Sequence, residues 1–277
     1  DCLADMGKAF LETHQISGEE CCIGVSCGGP LDSGRGVILS PPNLPGWDQV
    51  PIVSYLEQRL DMDARLKNDA DACALAEWRY GAGRGCRHMM FLTFGTGLGA
   101  GLVLNGRLYE GACGMAGEAG HVRLAEEGPV GYEKAGSFEG FCSGGGIARL
   151  ARSMAEDALK AGRLVSYMKE GGLDVITARD VAEATEMGCA DAREVLAVSG
   201  RYFGRGLAML VDILNPERIV AGGIYARAGR FLKDEMEKEL RREALPASVN
   251  ACCSLPCGLG EQIGDYGCVI AAMAMWV

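Results

Sequence analysis

Apolar positions in the first third of the chain switch between helical spacing and short continuous runs. Three stretches have helical spacing, and the two short runs between them are typical of buried strands. The predicted order is therefore helix, strand, helix, strand, helix, over residues 3–14, Cys21–Ser26, Val50–Leu60, Ala64–Lys67 and Ala70–Tyr80. This alternation predicts an α/β fold, in which ligands bind at the carboxyl ends of the strands.

The pattern restarts after a glycine-rich stretch at residues 81–85. Three closely spaced strand patterns predict an antiparallel meander over Met89–Phe94, Gly99–Leu104 and Arg107–Tyr109. The remainder predicts helices at Ile147–Lys160, Ala178–Glu186, Ala190–Leu214, Arg230–Glu243 and Gly267–Met275, with strands at Arg218–Ala221 and Val249–Ser254. The two halves resemble repeats, but only the second begins with a meander, so we expect about forty residues to be missing upstream.

The meander contains a stretch in which every second residue is glycine, at Gly95, Gly97, Gly99 and Gly101. Backbone without side chains lets an anion such as phosphate approach the N–H groups. Alternate glycines can also mark only a sharply bent hairpin. The stretch lacks the Lys-Ser/Thr of a P-loop and the third glycine of a dinucleotide-binding motif, so both interpretations stay open.

Asn68-Asp69 lies between a predicted strand and a predicted helix. An Asp in this position could act as a general base, or it could be the N-cap of the helix from Ala70. Glu118, His121 and Glu139 lie in loop-like sequence and could bind hydroxyl groups, although such residues are more often ordinary surface. Gly222-Gly223 could admit a flat ligand or simply form a strand-to-helix turn.

Composition narrows the classes of partner. The formal net charge is −10 and no Lys/Arg-rich block is present, so nucleic acid is not an expected partner. The thirteen cysteines are scattered and include no C-x-x-C pair, which favours free thiols in a reducing cytoplasm. With neither a signal peptide nor an apolar span of about 18 residues, we expect a cytoplasmic protein without a membrane partner.

Six motifs, in this order, together resemble the ROK (repressor, open reading frame, kinase) sugar kinases of the actin-like ATPase superfamily. They are GVSCGGPLD (24–32), PNLPGWDQVP (42–51), NDADACALAEWRYGAGRG (68–85), LTFGTGLGAGLVLNGRLYEGACGMAGEAGHV (92–122), SFEGFCSGGGIAR (137–149) and NPERIVAGGI (215–224). The resemblance implies two α/β domains with a ribonuclease H-like fold and a cleft between them. The smaller domain would be residues 1–87, lacking its N-terminal meander and joined by the C-terminal helix 264–277; the larger would be residues 88–263.

The resemblance also implies a role for each candidate residue. Asp69 is similar to the catalytic base that takes a proton from a sugar hydroxyl, with ATP and Mg²⁺ as cofactors. The sugar ligands would be Asn68, Glu118, His121 and Glu139, and the nucleotide would be bound by Gly95, Thr96, Gly97, Gly99, Gly222 and Gly223.

The implied activity is ATP-dependent phosphorylation of a glucose-like hexose at its primary hydroxyl. The family also implies a homodimer or a higher homo-oligomer. Two alternatives stay open: a kinase for N-acetylhexosamines, and a non-catalytic, sugar-sensing transcriptional repressor.

Three departures from the family pattern matter. The first phosphate loop, Asp-x-Gly-x-Thr, which also helps to place magnesium, is absent, so the chain as it stands is expected to bind ATP poorly. The family has three zinc-binding cysteines that accompany the equivalent of His121. At those positions this chain has Val130, Tyr132 and Ser137, so structural zinc is not expected. Asp71 stands where the family motif Asn-Asp-Ala-Asn ends, and its charge is expected to raise the pKa of Asp69.

Overall fold

The computed structural model describes residues 1–17, 21–169 and 171–273, and it confirms an α/β fold. In the first part of the chain the elements are α1 (Cys2–His14), β1 (Cys22–Cys27), β2 (Leu31–Asp32), β3 (Val37–Ile38), α2 (Ile52–Leu60), β4 (Asp63–Asn68) and α3 (Asp69–Tyr80). β1 and β4 pair in parallel, with Cys27 opposite Asn68. Their carboxyl ends therefore lie side by side, as an α/β ligand site requires.

The second part begins with the predicted meander, β5 (Met89–Phe94), β6 (Leu98–Leu104) and β7 (Arg107–Leu108), whose neighbours pair antiparallel. The elements that follow are β8 (Val130–Gly131), β9 (Lys134–Ala135), α4 (Phe138–Cys142), α5 (Gly144–Lys160), α6 (Ala178–Glu186), α7 (Ala190–Leu214), β10 (Arg218–Ala221), α8 (Ile224–Glu243), α9 (Pro246–Ala251), β11 (Cys253–Pro256) and α10 (Ile263–Ala272). The main sheet has the order β11-β10-β5-β6-β7, and β10 is parallel to both β5 and β11.

Helix α3 packs directly on the main sheet. A side chain at Gly101 of β6 would collide with the carbonyl oxygen of Ala70 in the first turn of α3, so glycine allows the helix to lie close. Helix α10 packs in the same close way on β1, where Gly24 faces the carbonyl of Cys268. The C-terminal helix thus returns to the first part of the chain, while the division into two domains stays a prediction.

The prediction of a strand at Val249–Ser254 is wrong in its first half. Pro246 begins the short helix α9, because the ring of proline suits the first turn of a helix, where no N–H is needed, and β11 starts only at Cys253. Helix α8 begins at Ile224, six residues before the predicted Arg230, directly after Gly223. The predicted last helix is helical to Ala272, and its continuation to Met275 lies partly outside the described residues.

A small antiparallel hairpin of β2 and β3 occupies residues 31–38, for which the sequence predicted no regular structure. No helix within the described ranges is both long enough and apolar enough to span a membrane.

Candidate active site

The first group of predicted site residues lies where β4 ends. The side-chain oxygen of Asn68 accepts hydrogen bonds from the N–H groups of Ala70 (2.9 Å) and Asp71 (3.3 Å), so Asn68 is the N-cap of α3. Asp69 is the first residue of the helix, and its Oδ1 accepts a hydrogen bond from the N–H of Ala70 at 2.8 Å. The helix needs Asn68 as its cap, so the carboxylate of Asp69 is available for another role.

Solvent reaches the side chain of Asp69, although the surrounding protein removes enough water to raise its pKa. Glu118, directly before a 3₁₀ turn at residues 119–121, also has a raised pKa. The first cause is its partial burial; the charges of Glu139 and Asp69 add to it, and His121 opposes it. Glu118 thus lies within electrostatic reach of Asp69, His121 and Glu139, although about fifty residues separate Glu118 from Asp69 along the chain.

Glu139 connects this group with the glycine hairpin. Its Oε2 accepts a hydrogen bond from the N–H of Leu98 at 3.0 Å. A Cβ atom on Gly97 would lie 2.8 Å from the same oxygen, so glycine makes room for the carboxylate. Close packing therefore explains the glycines at positions 97 and 101, in agreement with the interpretation as a bent hairpin. These reasons are compatible with a phosphate site at the tip of the hairpin.

At that tip the N–H groups of Thr96 and Gly97 donate no hydrogen bond within the part of the chain that the structure describes. Gly223, which has φ of 60°, packs against the carbonyl of Phe94 at the start of the tip. On the other side, the N–H of Gly144 in the first turn of α5 donates to the carbonyl of Gly95 at 2.7 Å. Two glycine turns and a helix N-terminus thus meet, an arrangement suited to an anion.

The N-terminus of α5 was missed by the periodicity, which predicted a start at Ile147. The helix begins three residues earlier because the hydroxyl of Ser143 accepts a hydrogen bond from the N–H of Gly146 at 2.9 Å. A serine directly before three glycines and an apolar helical pattern is the sequence signal that could have found it.

His121, the last residue of the 3₁₀ turn, is held by neighbours in the hairpin of β8 and β9. Its ring meets the ring of Tyr132 edge-on at 5.4 Å between centroids, and its carbonyl accepts a hydrogen bond from Lys134 Nζ at 2.7 Å. Within the described ranges no group of three or more His, Cys, Asp or Glu side chains is arranged to hold a metal ion. The expectation that the protein has no structural zinc stays a prediction, and the contacts with Tyr132 and Lys134 hold His121 in place.

The chain is similar to known proteins of two kinds. The family model described as ROK family matches residues 1–275. A glucokinase from Halalkalibacterium halodurans is 34% identical over 269 residues, which cover 96% of this chain and 80% of the relative. A xylose repressor from Caldicellulosiruptor bescii is 28% identical over 226 residues, covering 81% of this chain and 55% of the repressor.

A solved structure also matches. The crystal structure of a ROK family glucokinase from Streptomyces griseus, in complex with glucose and AMPPNP, has a TM-score of 0.76 at 29% identity. The match covers 90% of this chain and 80% of that chain. The predicted actin-like architecture is thereby confirmed.

Proposed function

Since this chain belongs to the ROK family, we propose that it is a kinase that phosphorylates a glucose-like hexose with ATP, using Asp69 as the general base. The observation that carries the proposal is the position of Asp69 at the carboxyl end of β4. There its carboxylate is open to solvent and lies within electrostatic reach of Glu118, as do Glu139 and His121. Such a set of acceptors and one imidazole suits a ligand with several hydroxyl groups.

A general base is more effective when its pKa is raised, provided that it stays ionised. Partial burial of Asp69 acts in this direction. The Asp69 carboxylate would accept the proton of the hydroxyl that attacks the terminal phosphate, while Asn68, fixed as the helix cap, keeps its side-chain N–H₂ for the sugar. The similarity to glucokinases supports a hexose as the acceptor.

The nucleotide would bind where the two glycine turns meet α5. The N–H groups of Thr96 and Gly97 would donate to phosphate oxygens, and the positive end of the α5 dipole lies beside them. A Cβ atom on Gly144 would lie 3.1 Å from Ile224. A Cβ atom on Gly222 would lie 2.9 Å from the ring of Phe91, so glycine lets this turn lie close to β5. Mg²⁺ would neutralise phosphate charge when ATP is bound.

The substitution Asp69→Asn in the complete protein tests the proposal. We expect the rate of hexose phosphorylation to fall by about 10²- to 10⁴-fold, with hexose binding still measurable by calorimetry. Asp157→Asn, on the exposed face of α5, is the matched control and should leave turnover unchanged. Turnover within a few-fold of wild type in Asp69→Asn would exclude the proposed base.

Two other candidate functions, an N-acetylhexosamine kinase and a sugar-sensing repressor, are distinguished by measuring ATP turnover with different sugars. A panel of glucose, N-acetylglucosamine and N-acetylmannosamine, with coupled detection of ADP, identifies the preferred acceptor. The similarity to a xylose repressor favours a sugar-sensing repressor as the second candidate. Sugar binding by the complete protein without any ATP turnover would support the repressor over the kinase.

A further inference from the structure

Lys67, one residue before Asn68, is a buried cation in β4. The residue is 3% exposed, and its Nζ lies 2.8 Å from Oε1 of Glu110. Burying an ammonium group is unfavourable unless an opposite charge lies close to it. Glu110 supplies that charge from a residue 43 positions further along the chain.

Asp71 places a second carboxyl group within electrostatic reach of this ion pair. The residue is 4% exposed, and its Oδ1 has no hydrogen-bond partner in the described part of the chain. The charged groups that act on it are Lys67 from β4, Asp69 on its own helix, and Glu110 and Glu118 from the loop after β7. The buried lysine is thus paired with Glu110 from the loop and acts electrostatically on Asp71 from α3.

The loop that carries Glu110 also carries Glu118, a predicted sugar ligand. The carbonyl of Glu110 accepts a hydrogen bond from the N–H of Ala116 at 3.1 Å, and the carbonyl of Gly117 accepts one from Ala100 at 2.9 Å. The loop is therefore closed on itself and tied to β6. The ion pair of Lys67 and Glu110 is a side-chain link from this loop to the strand that ends in Asn68-Asp69.

We propose that the ion pair of Lys67 and Glu110, with the buried Asp71 on the neighbouring helix turn, is a clamp that fixes the Glu118 loop against the end of β4 and thereby sets the affinity for the sugar. Lys67 and Glu110 act as positioning residues, because neither is proposed to touch the reacting atoms. The clamp rests on the proposed function only for the identity of the ligand. Its effect on the loop can be measured without any substrate.

Amide hydrogen exchange of residues 110–118 tests whether the clamp fixes the loop. With Lys67→Met or Glu110→Gln in the complete protein, we expect exchange in this segment to accelerate on the order of tenfold. Lys160→Met, which removes an exposed ion pair with Asp157, is the matched control and should change nothing there. Glu110→Gln keeps the lysine and removes only the half-exposed partner, so it serves if Lys67→Met does not fold. Unchanged exchange in the folded variants would overturn the clamp.

Steady-state kinetics test whether the clamp sets the affinity for the sugar. For both single variants we expect KM for the hexose to rise about tenfold with kcat changed less than about twofold, because loop position affects binding more than chemistry. The double variant should be little worse than either single one, since residues of one ion pair are coupled. An active wild type with unchanged hexose KM in Lys67→Met overturns the clamp. A wild type that phosphorylates no hexose overturns the proposed function and leaves the exchange result intact.

Discussion

The buried carboxyl of Asp71 makes folding stability depend on pH in a direction that one substitution should remove. Burial first, and then the charge of Glu110, raise its pKa from the usual 3.8 to about 7. In the unfolded chain the usual value returns, so between about pH 4 and pH 7 the folded protein holds a proton that the unfolded chain has lost. The free energy of unfolding therefore falls as pH rises through this window, by about 4 kcal/mol in total at about 1.4 kcal/mol per pH unit.

Asp71→Asn keeps the shape of the side chain but cannot ionise. The unfolding free energy of the variant minus that of wild type should increase by about 2 to 3 kcal/mol from pH 5 to pH 8. Urea unfolding followed by tryptophan fluorescence measures this difference, since Trp78 lies on the same helix α3. The exposed Asp157→Asn is measured in parallel as the control for an Asp-to-Asn change. If the curves of wild type and Asp71→Asn run parallel from pH 5 to pH 8, the carboxyl is not buried as described and the reasoning is refuted.

Three further substitutions test the site and its support. Gly101→Ala should destabilise the protein by about 1 to 3 kcal/mol in thermal unfolding, because the new methyl group meets the carbonyl of Ala70. The control Gly264→Ala, whose methyl group would meet nothing within 4 Å, should be close to neutral. Ser143→Ala removes the cap of α5 and should cost about 1 kcal/mol in denaturant unfolding and raise KM for ATP, whereas an unchanged KM would place the nucleotide elsewhere. Tyr132→Ala should weaken hexose binding in calorimetry because His121 loses its aromatic neighbour, while a zinc chelator should leave hexose affinity unchanged; a chelator-sensitive affinity would mean that a metal orients this loop.

Local pattern was enough to predict most of the fold. The meander from Met89, the long helix Ala190–Leu214 and the strand Arg218–Ala221 have strong apolar periodicity or short apolar runs bounded by turn residues, and the structure has them at the predicted places. The strand at Val249 was misplaced because Val favours strands, whereas Pro246 starts a helical turn whose context decides the outcome.

The candidate site was predictable residue by residue only where a motif carried it. The proximity of Asp69, Glu118, His121 and Glu139 depends on tertiary packing, and no spacing along the chain reveals it. The pairing of Lys67 with Glu110 is of the same kind, since a lysine in a short strand pattern gives no sign that it will be buried. The cap of α3 is one residue earlier than the sequence suggested: Asp69 was the candidate N-cap, but the helix begins at Asp69 and Asn68 caps it.

The hydrogen bond from Leu98 to Glu139 has a thermodynamic consequence. The bond joins β6, which follows the proposed phosphate site, to a carboxylate proposed to bind sugar. A ligand at either site that shifts this bond therefore alters the binding free energy at the other site. Such linkage is reciprocal: whatever factor the nucleotide applies to hexose affinity, the hexose must apply to nucleotide affinity. The two dissociation constants, each measured with and without the other ligand, should therefore close a thermodynamic cycle, with a coupling factor that diminishes when Glu139 is replaced by Ala, which cannot accept the bond.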